Sequence, residues 1–442
     1  MYTWFPRRMY RLTGIAVAIV LVASSPPSGQ QPLVRRPVQL SCPMTHPSGT
    51  PFVRTIPLGQ RGMDQAVVGV ALDKGLGQVF VASNDYTHDA AVTTRIDAFD
   101  VCSDSLLYTY RLAGESTRLG VDETTSHLLV TFAGASDVTG KYYTGLGRLA
   151  VLDAVTGRVL HVTTLGHYPS TIAVDTQRRR AFICDDSGPL HLVDIDSGRI
   201  VRVVAASDAQ GCKDVSVATA TARAFAISPE RGVSVMDARS GVVTLSRDYD
   251  LSYPIALAID TPHRRAVVAI RTESSCGGVD LLDAATGLLV HTVSLAGDPV
   301  DLAVDERVGR AFVVSLDAAG HDAVPILSTT TGTVVKTVRI PPGSSSPRGD
   351  QAMALDAHNN HLFILFAGHR TDDTATFSND KSKRGFTGPG HLVVLDARSG
   401  VVRRIMTLSH EPSGVIIDEQ AARAFIVDSY DRTLSILDTT RL

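Results

Sequence analysis

One unit repeats along this chain, and the repeat narrows the fold more than any other feature. An alternating apolar strand ends in Asp, four residues follow, and Arg, His or Gln opens a second apolar strand. Eight copies occur, with first strands at 70–73, 119–122, 172–175, 215–218, 257–260, 302–305, 353–356 and 415–418. The fourth copy carries Ala218 in place of the Asp. A third strand follows, then a tight turn, clearest as Asp283-Ala284-Ala285-Thr286-Gly287 and Asp396-Ala397-Arg398-Ser399-Gly400. That spacing predicts a type I turn whose closing Gly takes a positive φ. A fourth strand then runs outward. Four antiparallel strands per unit make one blade of a β-propeller, and no helical period competes with this reading.

The ends fit together. The eighth copy stops after its third strand, at 434–440, and 52–58 reads as an orphan fourth strand. Pairing the two completes a blade and closes the ring, which removes exposed sheet edges. The expected fold is all-β: an eight-bladed propeller closed by the N-terminal strand on the C-terminal blade. Seven blades is the alternative if one irregular copy is not a blade. Such a ring also escapes the size limit of a single core, since each unit packs only on its neighbours.

The first residues read differently. Arg7, Arg8 and Arg11 precede the apolar stretch 12–23, too short for a comfortable membrane span. Residues 1–29 are expected to be a signal peptide, or alternatively an N-terminal membrane anchor, followed by a Pro/Ser-rich linker at 30–50 and the propeller at 51–442. This implies an extracytoplasmic protein, secreted or tethered through 12–23. Lys+Arg total 42 against 45 Asp+Glu, a net charge of −3, which gives no support to a general nucleic-acid binder.

The unit resembles the YVTN β-propeller repeat of surface-layer-type and YncE-like proteins. The last copy is nearest, with Glu411-Pro412-Ser413-Gly414-Val415, then Arg423-Ala424-Phe425-Ile426-Val427-Asp428, then Thr433-Leu434-Ser435-Ile436-Leu437-Asp438. No copy spells Tyr-Val-Thr-Asn. The resemblance implies the fold rather than a function, because related propellers serve as scaffolds and as enzymes. Trp4 is the sole tryptophan, which argues against blades that dock through Trp, and no Cys-x-x-Cys-His haem motif occurs.

Antiparallel order places the b–c loops and the blade-to-blade connections on one face and the a–b and c–d turns on the other. The turn Asp and Arg residues are expected to be structural. On the first face, long b–c loops at 84–94, 133–148 and 367–390 belong to blades 1, 2 and 7, which flank blade 8. Long loops on a rigid scaffold commonly carry binding. The candidate binding residues are Lys141, Tyr142, Tyr143, His369, Arg370, Lys381, Lys383 and Arg384, where cations near aromatics suit a polymer. Solvated loops are the plainer reading. His167 and His410 precede prolines in equivalent connections and are the candidate metal ligands near the channel mouth, with Asp185, Asp186 and Asp428 nearby as hard-cation candidates. No cofactor is otherwise expected.

Five cysteines are present, an odd number. Placement on the repeat makes Cys184–Cys212 and Cys42–Cys102 the disulfide candidates and leaves Cys276 over. No nucleophile elbow, HExxH or phosphate loop occurs. The leading expectation is an extracytoplasmic binding scaffold, the simplest reading of a motif-free ring, acting as a monomer on a cell-envelope protein or glycan. The alternative is a metal-assisted hydrolase or lactonase-like enzyme at the channel mouth. Non-specific DNA binding, which the resemblance allows, ranks last, and membrane contact is expected only through the N-terminal segment.

Overall fold

The computed structural model describes residues 52–59, 65–86, 92–135, 145–186, 188–204, 211–229, 232–249, 252–273, 277–317, 321–340, 352–370 and 386–442. The expected leader, linker and Cys42 lie outside them. Eight four-stranded antiparallel sheets form the ring. Blades 1 to 7 span 65–113, 116–164, 169–204, 214–247, 252–294, 298–339 and 353–407. Blade 8 takes three strands from 412–438 and its outermost strand from Phe52–Pro57. The closure is antiparallel, with Thr55 opposite Ser435 and Ile56 opposite Leu434. Strands are lettered a to d from the channel outward.

The cores lie between blades, and strand b shows why. In Arg180-Ala181-Phe182 and Arg223-Ala224-Phe225 the side chains alternate across the sheet, so Phe faces one neighbour and Ala the other. Phe182 shares a core with Ala224 of the next blade, Phe225 with Ala266, and Phe363 with Ala424. Large meets small at each of these boundaries, which lets the blades interdigitate. Each buried ring contributes roughly 2–3 kcal/mol.

The turn face is built as the repeat implies. The a–b Asp residues are buried, and in seven blades a carboxylate oxygen accepts from a turn amide at 2.9–3.3 Å. In blade 4, where Ala218 removes that acceptor, the backbone makes a 3-10 turn over Thr219–Thr221. The c–d turns close on Gly with φ between 62° and 78° in blades 2 to 7, and Asp104 takes that place in blade 1.

A second left-handed position is not read from the repeat. The residue before strand b has positive φ in every blade: Gly77, Ser126, Arg179, Ala222, Arg264, Gly309, Asn360 and Ala422. Each of these carbonyls accepts an amide from the residues just after strand c of the same blade, at 2.8–3.1 Å. The conformation therefore aims a carbonyl that pins the two turns together, and the bond offsets the cost of placing a side chain there.

Candidate functional site

On the opposite face the blades stop being alike. Strands b and c of blade 1, Gln78–Tyr86 and Val92–Asp100, stay paired out to Tyr86 opposite Val92, so this hairpin projects beyond its neighbours. In blade 7 the connection after Phe366 begins as a ribbon in which His369 pairs with Thr387 and Arg370 with Phe386. Blade 8, between them, turns from strand b to strand c through 429–432 alone.

Blade 8 carries a compact polar cluster on this face. The ring Nδ1 of His410 lies 2.6 Å from Asp431 Oδ2, and the His410 amide donates to the same oxygen at 2.8 Å. A carboxylate only accepts, so the imidazole donates from Nδ1 and turns Nε2 away from Asp431. The ring of Tyr430 meets His410 edge-on, with centroids 5.6 Å apart, and Tyr430 remains 39% exposed. Asp428 Oδ2 accepts the Glu411 amide at 2.8 Å, and its other oxygen accepts the Asp431 amide at 2.6 Å. Burial pushes the Asp428 carboxyl up to about 6, reinforced by the charges of Asp431 and Glu411 and opposed by those two amides. Ser429 Oγ donates to Val67 O of blade 1 at 2.9 Å, which fixes the turn to the next blade.

The blade 7 loop is rooted on this same feature. Gly368, before the loop, donates its amide to His410 O at 2.7 Å. Gly390, after it, donates to Ser409 O at 2.6 Å. Neither glycine tolerates a side chain: a Cβ on Gly368 would lie 2.3 Å from Gly388 O, and one on Gly390 2.5 Å from Pro412 Cδ. Blade 2 repeats the arrangement, with Gly134 bonded to His167 O at 2.8 Å and Gly147 to Gly166 O at 2.6 Å.

The two candidate metal histidines occupy equivalent connections, with blades 8, 1 and 2 between them in the order of the ring. His167 Nδ1 lies 2.7 Å from Gly145 O, and His410 faces Asp431. Asp185 accepts the Tyr168 amide at 2.9 Å, and Asp186 accepts from Ser170 Oγ at 2.8 Å. Among the described residues no group of three or more His, Cys, Asp or Glu side chains could hold a metal ion. Lys141, Tyr142, Tyr143, Lys381, Lys383 and Arg384 lie outside the described residues, and His369 and Arg370 are placed by their backbone pairing. Tyr430 and Asp431 were not among the expected site residues. Their only signal is a short turn between two blades with extended b–c segments.

Cys184 and Cys212 form a disulfide joining blades 3 and 4 on this face, with Cα atoms 4.9 Å apart. Cys102 is also disulfide-bonded, and its expected partner Cys42 lies outside the described residues.

No protein-family model matches the chain, and no curated protein matches it in sequence. Solved structures match in fold. The computationally designed Ika8 protein aligns with a TM-score of 0.59 at 14% identity, covering 86% of this chain and all of that one. BamB from Moraxella catarrhalis aligns at 0.54 and 13% identity, over 88% of this chain and 99% of that one. The β-propeller domain of Myceliophteria thermophila Cps50 (Swd1) aligns at 0.50 and 11%, over 74% and 97%. At these identities the likeness is one of fold, and the chain is an eight-bladed β-propeller.

Proposed function

We propose that this chain is an extracytoplasmic binding scaffold of the YVTN-like kind, and that its partner, a cell-envelope protein or glycan, is held above blade 8. One observation carries the reading. Both stems of the blade 7 loop hydrogen-bond to Ser409-His410, whose imidazole is oriented by Asp431 beside the exposed ring of Tyr430. An oriented imidazole, a carboxylate and a phenol ring are recognition groups for hydroxyls and amides, and a loop clamped to them couples their position to whatever the loop contacts. The apolar stretch at 12–23 supports the extracytoplasmic location.

The test is capture from solubilised cell envelope by three proteins: the parent chain, a variant with 371–385 replaced by a short Gly-Ser linker, and Tyr430→Ala. The stem glycines stay in place, so the blade is retained. The reading expects partners recovered by the parent to be lost with either change. Equal recovery by all three contradicts it. The His410–Asp431 pair is also the one feature that favours a metal-assisted hydrolase at the mouth. Metal analysis of the purified chain with and without His410→Ala, followed by a lactone hydrolysis assay, separates the two.

A further inference from the structure

The outer strands of the ring share a chemical character that goes beyond the contacts some of their side chains make with the next blade. The eight d strands are Phe52–Pro57, Leu106–Ala113, Val159–Thr164, Ile200–Val204, Val243–Arg247, Leu289–Ser294, Val334–Arg339 and Val402–Thr407. None contains Asp or Glu, although the chain as a whole carries more acidic than basic residues. They do contain Arg54, Arg111, Arg202, Arg247, Lys336 and Arg339, and a further pair at 403–404.

Exposed aliphatic side chains gather on the same strands, most densely in blades 3 to 6. Leu288 is 60% exposed and Val335 54%, and Leu289, Val290, Val334 and Val243 are exposed beside them. Scattered exposed aliphatics on a soluble surface need no explanation, but their recurrence on the outer strands of four successive blades does. Natural edge strands often carry charge, lysine above all, to discourage pairing, and that role alone does not call for exposed aliphatics beside the cations. Here the charged residues of the strands themselves are all cations; Arg247 of blade 4 is paired with Asp280 at 3.4 Å, which leaves Arg202, Lys336 and Arg339 to carry the charge of this stretch. Lys336 Nζ donates to Ser399 O at 2.8 Å and Arg202 Nε to Ser240 O at 2.7 Å, and bonds to neutral carbonyls leave both cations uncompensated. Arg339 is exposed on the same strand as Lys336.

We infer that the perimeter of blades 3 to 6 is a docking surface for an anionic lipid bilayer, on which the ring lies edgewise. Aliphatic side chains interleaved with Arg and Lys, with no carboxylate among them, match the boundary between acyl chains and anionic headgroups. A protein partner of matching acidity and a single-stranded nucleic acid are the other polyanions, and the aliphatic component favours the bilayer over both. This surface lies on the far side of the ring from blade 8, so contact there leaves the face described above open.

The experiment compares two probe positions on opposite sides of the full-length ring, because the apolar stretch at 12–23 alone could carry the chain to vesicles. A polarity-sensitive fluorophore is attached at Leu288→Cys in blade 5 or at Leu106→Cys in blade 1, both in a Cys276→Ser background. Leu106 is likewise an exposed aliphatic, at 52%. Both labelled proteins are first shown to melt as the parent does. With vesicles of equal phosphatidylglycerol and phosphatidylcholine, the blade 5 probe is expected to shift to the blue and the blade 1 probe to stay unchanged. Phosphatidylcholine alone, or high salt, should abolish the shift. Adding Lys336→Gln and Arg339→Gln, in protein that still melts as the parent does, should raise the lipid needed for half the shift at least about fivefold, and Arg339→Gln alone, which breaks no contact to the next blade, should raise it in the same direction. Equal shifts at both positions, a shift on neutral vesicles, or a shift with single-stranded DNA and none with vesicles would overturn the inference.

Discussion

His161 of blade 2 closes over Gly198 of blade 3, its Nε2 lying 2.6 Å from the carbonyl oxygen of Asp196 in the same turn. The contact is one instance of a latch repeated around the ring. A d-strand side chain reaches the c–d turn of the next blade, as with Tyr108 to Ala154 O at 2.8 Å, Arg202 to Ser240 O, and Lys336 to Ser399 O. Arg54, on the strand that closes blade 8, makes the same reach to Asp104 O of blade 1 at 3.2 Å. The closing boundary is therefore latched like the others.

The latch makes the turn glycine doubly sensitive. Gly198 has φ +67°, and a Cβ there would lie 2.6 Å from His161 Cβ. Gly198→Ala should lower stability by about 1–3 kcal/mol through strain and overpacking together, measured by urea unfolding. Ala222, at φ +56° before strand b of blade 4, has the opposite expectation. Ala222→Gly should be stabilising by about 0.5–1 kcal/mol, because it relieves the left-handed penalty and keeps the carbonyl bond to Ala238.

Much of this was legible in the residues, and the parts that were not have physical reasons. The Asp-to-Arg repeat and the Asp-x-x-Ser/Thr-Gly turns announce blades because each residue acts within its own turn. The closing pair 52–57 and 433–438 was legible because an incomplete unit stood at each end. The left-handed Ser126, Arg179 and Arg264 were not, since their carbonyls bond to the c–d turn at Ala154, Ile195 and Ala284, well beyond the local turn. The positions of His167 and His410 followed from the repeat. The partner of His410 did not, because Asp431 reaches it only after blade 8 has folded back on itself.

Asp322 provides a pH test. It is buried, its Oδ1 has no hydrogen-bond partner, and burial with the nearby Asp317 charge pushes its carboxyl up to about 6. The native value exceeds the unfolded one, so the protonated form stabilises the fold below the unfolded pKa, and this contribution is lost as pH rises through about 6. Asp322→Asn should accordingly match the parent at pH 4 and be more stable at pH 8, by on the order of 1 kcal/mol once partial screening is allowed for. Melting curves at the two pH values check it.

The bond between Cys184 and Cys212 closes a separation of 28 residues across the boundary of blades 3 and 4. Replacing both by Ala should cost about 2–4 kcal/mol, read from denaturant midpoints without reductant. A non-reduced digest of the parent should yield one peptide linking the two positions.

The exposed phenol ring of Tyr430 supports no blade core. Tyr430→Ala should leave the melting temperature within the range of neutral surface changes, about 0.5 kcal/mol or less in stability, as measured by thermal unfolding. A larger loss would mean that the ring holds the His410–Asp431 turn together rather than facing a partner.

All placements of loops, latches and site residues depend on the chain's beginning being zipped to its end. Thr55 and Ser435 stand directly opposite each other in that pair, with their hydroxyl oxygens 3.4 Å apart. Thr55→Cys with Ser435→Cys, oxidised under mild conditions, should give a single intramolecular cross-link, found as a peptide joining 55 to 435. Thiols that stay free, or cross-links only between separate chains, would contradict a ring closed in this way.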